Sequence, residues 1–184
     1  MKARNLSESF TVLELLVVIS IIGVIAAIAF PTISAAKRQA KITDNLSRLH
    51  SCQLAVALYR VDHEGDGALG LGLPDLLDIV ISIKEKGDFY GAAKAQWQSA
   101  CATHPNTTPH TFTYFPGDDP SALKEYAEYG ESTILLADEQ CSDPGVDVSA
   151  TYVTKLGMGV RLDGTLVRRM RKGDVDSFSF WRDP

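Results

Sequence analysis

The sequence predicts an α+β protein: one long N-terminal helix packed on a C-terminal antiparallel sheet, with short helices between. Three observations predict it. Residues 10–30 are apolar around the whole circumference of a helix. From residue 32 to about 59, apolar residues recur at helical spacing on one side only. Beyond about residue 110 the period falls to two, and an Asp-Gly pair at 163–164 separates two alternating runs. The 184 residues suffice for one ordinary domain plus an appendage. With 45% hydrophobic and 22% charged residues the composition is that of a globular chain and argues against disorder. A net charge of −5 and a pI near 5.3 exclude a general nucleic-acid binder, because neutralising phosphates requires a basic surface.

The first element is the apolar run Phe10 to Phe30, in which only Thr11, Glu14 and Ser20 are polar. As a helix its 21 residues span about 31 Å, the thickness of a bilayer's hydrocarbon core. Lys2 and Arg4 form a small positive flank, which places the N-terminus in the cytoplasm and the long C-terminal part outside. Two ordinary readings are a secretory signal peptide cleaved after Ala27-Ile28-Ala29 and a plain single-pass signal anchor. Both leave Glu14 unexplained. A carboxylate in an apolar run costs on the order of 2.5–3.5 kcal/mol near a helix centre, less near the end, and calls for a partner.

Phe10-Thr11-Val12-Leu13-Glu14-Leu15, its short basic leader, its apolar helix and Pro31 resemble the type IV pilin and type II secretion pseudopilin class of prepilin-like proteins. That family has a leader ending in Gly, then Phe-Thr-Leu-x-Glu-Leu, and a Pro about two-thirds along the helix. Ser9 departs from the pattern, standing where the family has Gly. The resemblance covers about the first fifth of the chain. It implies a leader peptide at 1–9, a transmembrane and filament-core helix at 10–31, and an extracytoplasmic pilin-like globular domain at 32–184. It implies cleavage between Ser9 and Phe10 by a prepilin peptidase, N-methylation of Phe10, and residence in the bacterial inner membrane as a single-pass protein. The mature subunit would then polymerise with other pilin or pseudopilin subunits on an inner-membrane assembly platform, into a type IV pilus or a secretion pseudopilus. Glu14 and Pro31 are the implied assembly residues. Cleavage creates an α-ammonium one helical turn before Glu14, and in a filament a neighbour's N-terminus can pair with the carboxylate. Pro31 lacks a backbone donor, so the helix should bend or locally melt there. The alternative, from another class, is a signal-anchored extracytoplasmic binding or enzymatic domain that never polymerises.

Beyond Thr32 the stripe Ile42, Leu46, Leu49, Cys52, Val56 and Tyr59 marks a helix face that packs a sheet. Lys37, Arg38, Lys41, Asp44 and Arg48 make the opposite, solvated face. The helix should stop near Asp62-His63-Glu64-Gly65-Asp66-Gly67. That run has the beginnings of a calcium loop, but its twelfth position is Leu73 where a bidentate Glu is required, so a Gly-rich turn is the preferred reading. Pro74-Asp75 opens a short helix through Leu76, Leu77, Val80 and Ile83, and a second is expected over Ala92–Ala102. Strands are expected at Thr111–Phe115, Thr133–Ala137, Met158–Leu162 and Thr165–Met170, with a last one at Ser177–Trp181. The segment 135–139 and the Asp-Gly hairpin are similar to the end of a prepilin-associated family whose His would fall at Val153, so no site follows from it.

No GxSxG, HExxH, P-loop or dinucleotide fingerprint occurs, so neither an enzyme nor a cofactor is expected. Cys101, His104, His110 and Cys141 are zinc-ligating types at a spacing that matches no standard site. The preferred reading is a Cys101–Cys141 disulfide in an oxidising compartment, which leaves Cys52 a buried free thiol. Asp138, Glu139, Asp143 and Asp147 form an acidic cluster with a calcium-binding composition, read here as a solvated loop.

Overall fold

The computed structural model describes residues 11–65, 70–101, 112–115, 119–143 and 145–182. The chain divides into two compact units, Met1–Ala40 and Lys41–Pro184. The helix α1 spans Val12–Asp62 and so belongs to both.

In the first unit α1 is apolar all round from Val12 to about Ile33. Every large apolar side chain from Val12 to Ile33 is at least 45% exposed, so the apolar surface has no internal partner. The helix is long and apolar enough to cross a membrane. It is unbroken at Pro31, which corrects the expectation of local melting there. The hydroxyls nearby supplement the weakened ladder: Thr32 donates to the carbonyl of Ala29 at 2.8 Å and Ser34 to that of Phe30 at 3.2 Å.

The second unit is α+β. Helices α2 (Leu76–Lys86), α3 (Pro120–Tyr129) and α4 (Phe178–Trp181) accompany a two-stranded ribbon, β1 (Asp88–Phe89) with β2 (Ala92–Ala93). The main sheet is antiparallel in the order β3-β4-β5-β6, formed by Thr113–Tyr114, Ile134–Asp138, Thr154–Arg161 and Leu166–Lys172. Met158 pairs with Asp138, whose side chain reaches α1, so Leu156, Met158 and Val160 face that helix. The intervening Gly157 and Gly159 face α4. A Cβ at Gly157 would lie 2.4 Å from a ring carbon of Phe180, so the two glycines make a slot for Phe180 and Trp181. Leu135 and Leu136 of β4 are both fully buried, because the sheet is covered on both faces. The β5–β6 hairpin forms around Asp163-Gly164, with Gly164 at φ +85°.

Two expected elements differ. Ala92–Ala102 is not a helix: Ala92–Ala93 pair with β1 across a turn in which Tyr90 and Gly91 have φ of 47° and 83°, and a 3-10 turn follows at Lys94–Trp97. The backbone pairing and the Trp97 Nε1 donation to the Ala92 carbonyl outweigh the helix propensity of the alanines. Ser177–Trp181 is a helical turn rather than a strand, started by Ser177, whose hydroxyl accepts from the Ser179 amide. The other expected strands lie within one to four residues of those observed; Thr111 lies outside the described residues.

Candidate functional site

Three places carry the candidate residues. The first is the head of α1. Ser9 and Phe10 lie outside the described residues. Thr11 is the N-cap and Glu14 the third helical residue, and the two form a reciprocal capping box. The Glu14 amide donates to Thr11 Oγ1 at 3.2 Å, while Glu14 Oε2 accepts from the Thr11 amide at 2.9 Å and from its hydroxyl at 2.8 Å. The expectation gave Glu14 a partner on a terminus; within the chain it already has Thr11. The Thr-x-x-Glu spacing was the available signal.

The second place joins α1 to the far end of β4. Asn45, fully buried, donates to Asp138 at 2.8 Å and accepts from the Ala100 amide at 2.8 Å. Ser99 donates to the same Asp138 oxygen at 2.9 Å. Cys101 and Cys141, just beyond Ser99 and Asp138, are disulfide-bonded with Cα atoms 4.9 Å apart. His104 and His110 lie outside the described residues. Cys52 is free and buried, its thiol donating to the Gln96 carbonyl at 3.2 Å, and burial pushes the thiol well above its usual range.

The third is the acidic run after β4, whose members point to different partners. Asp138 turns into the core. Glu139 pairs with Lys155 at 2.9 Å, and the Lys155 ammonium, almost wholly buried, also donates to the Val148 carbonyl. Burial raises the Glu139 carboxyl, against the opposing pull of Lys155. Asp147 accepts from the amide and hydroxyl of Ser149, which lower it below the ordinary carboxylate range. Among the described residues no three His, Cys, Asp or Glu side chains converge as metal ligands. Leu73, at the twelfth position of the run after Asp62, is in the core.

Arg48 is also more than a solvated side chain. Besides Asp44 at 2.9 Å, it donates to the carbonyls of Ala95 and Gln98 at 2.9 and 3.2 Å, holding the 3-10 turn to α1. A cleft of about 530 Å³ lies between α3, α4 and β3. Its polar groups serve the fold: Asp119 caps α3, Asp176 accepts from Thr113 at 2.6 Å, and Glu125 pairs with Arg182. What the arrangement offers is an apolar helix headed by one carboxylate, and a disulfide-braced domain. None of the family models, curated proteins or solved structures compared with the chain matches it.

Proposed function

We propose that this chain is a structural subunit of a filament, a pilin or pseudopilin of a type IV pilus or type II secretion pseudopilus. In this reading a prepilin peptidase cuts between Ser9 and Phe10, Phe10 is N-methylated, and the subunit waits in the inner membrane with residues 32–184 outside as a pilin-like domain. The carrying observation is the head of α1: one carboxylate, Glu14, on a helix whose large apolar side chains are all exposed from Val12 to Ile33. Such a surface needs lipid before assembly and like helices after it. The capping box does not compete with assembly, because Glu14 Oε1 takes no part in it and remains for an ammonium group.

That capping box also favours a second reading. It accounts for Glu14 by ordinary helix initiation, as a signal-anchored extracytoplasmic domain would need. The mass of the mature N-terminus separates the two. Protein extracted from membranes of cells bearing the peptidase should begin at methylated Phe10. An intact Met1 would give the anchor reading the field, and a start at Phe30 would overturn both by removing the helix.

A further inference from the structure

The cover over the sheet on the α1 side stops at β5. Leu156, Met158 and Val160 of β5 are buried, whereas their register partners on β6 are exposed: Met170 at 64%, Arg168, and Leu166 at 43%. By strand alternation these three share one face with Lys172, which is exposed too. β6 also ends the sheet. Among the described residues no strand pairs with its outer side, so a row of backbone N–H and C=O groups faces outward. The strand holds four cations and no acid, in a chain of net charge −5. Arg169 and Arg171, on the opposite face, donate to the Arg182 carbonyl. Among the described residues, Arg168 and Lys172 have no side-chain partner. The acids nearest in sequence are turned elsewhere. Asp163 accepts from the Thr165 amide within the turn, Asp174 from the Asp176 amide, and Asp176 from Thr113 on β3, at the far edge of the sheet.

We propose that the outer side of β6 receives an extended, acidic segment of a partner protein as a fifth strand, with acids beside Arg168 and Lys172 and an apolar residue beside Met170. The backbone row selects a peptide, because a polyphosphate backbone offers acceptors for the N–H groups and no donors for the carbonyls. The cations set its charge. Two β6 edges would place cation against cation, so a second copy is turned away from this edge. The other edge strand of the sheet, β3, has two residues, too few to pair along the seven of β6. Spacing sets the pattern: Arg168, Met170 and Lys172 stand at every second position, so the segment reads acid-x-apolar-x-acid. That pattern is the same in both directions and fits parallel or antiparallel addition. Main-chain bonds supply the affinity and the two ion pairs the choice of partner. The surface belongs to the second unit alone and holds under either reading of α1.

The test uses the full-length chain in detergent micelles and labelled heptapeptides, read by fluorescence anisotropy. Thr-Glu-Thr-Val-Thr-Glu-Thr should bind saturably. Two forms of it, N-methylated on one or the other set of alternate residues, keep the charge but lose backbone donors; one of them should bind at least about tenfold more weakly. Arg168→Glu with Lys172→Glu should weaken the acidic peptide about tenfold and bind in its place a peptide with Lys for both Glu. That exchange excludes misfolding as the cause. A peptide with Cys for Val should form a disulfide with Met170→Cys and not with Leu77→Cys, which is equally exposed on α2. The chain's own cysteines do not interfere, since Cys52 is buried and the other two are bonded to each other. Absence of the Met170 link would overturn the proposal and leave the cations as guards of a free edge. Equal affinity for both N-methylated forms would overturn it in favour of plain charge attraction. Met170→Cys dimers formed in the presence of the peptide, at the expense of the mixed link, would replace it with pairing of like edges.

Discussion

Asn45 holds the only side-chain bridge from α1 to Asp138 among those given above, and its amide is used at both ends. Asn45→Ala removes the donor that reaches the buried Asp138 carboxylate from α1, a carboxylate to which the Ser99 hydroxyl and the Gln140 amide also donate. It should cost about 2–3 kcal/mol in denaturant unfolding of the detergent-solubilised chain. Adding Asp138→Ala should cost less than the two changes separately, since the carboxylate that lost a donor is gone. Asn45 was not legible in the sequence, because the inward stripe was traced by hydrophobicity. The structure turns Asn45 and Gln53 inward with Leu49, Cys52 and Val56, and leaves Leu46 and Tyr59 only partly buried. A polar residue that finds its partner 93 positions away leaves no local trace. Cys52 was legible. Its raised, protonated thiol should resist iodoacetamide in the folded protein and react in step with unfolding. At the head of α1 the informative variant is Glu14→Gln, which retains an acceptor for the Thr11 amide while removing the charge. With peptidase and assembly machinery present, filament yield should fall well below wild type while membrane insertion is unchanged. A wild-type yield would reduce Glu14 to a helix cap.

Among the elements, the long helix and the β5–β6 hairpin were readable because each has an uninterrupted period and, for the hairpin, an Asp-Gly turn. The failures share a cause. Ala92–Ala102 and Ser177–Trp181 are too short for period to discriminate, and tertiary contacts chose their conformation. Helix α3 went unread although Asp119 and Pro120 are a start signal: the Asp119 carboxylate accepts from the amides of Ser121 and Ala122. The slot between β5 and α4 makes a direct prediction. Gly157→Ala places a methyl into the Phe180 ring and should destabilise by about 1–3 kcal/mol, because neither the strand nor the ring can yield freely. Phe180→Leu in the same chain should recover part of that loss, seen as a smaller shift in the unfolding midpoint.

For the whole molecule, the Cys101–Cys141 bond encloses a separation of 40 residues and ties the Ser99 segment to the end of β4. Replacing both cysteines by Ser should cost about 4 kcal/mol in the chain-entropy model, read as a lower denaturation midpoint. A folded protein whose unreduced thiol count is three instead of one would contradict the bond. The same architecture sets the order of events as the chain is made. Gln53 of α1 donates to the carbonyl of Leu162, 109 residues later, just as Asn45 waits for Asp138. The first element to emerge is thus among the last to be satisfied. Contacts so distant in sequence slow folding, since the intervening loop must close before it is rewarded. A nascent or exported chain cut short before about residue 160 has its inward polar groups exposed and its sheet unfinished. Such chains should be cleared rapidly by proteases, while full-length chains survive; pulse-chase of a series ending at 130, 150, 165 and 184 would show a step in lifetime rather than a gradual rise.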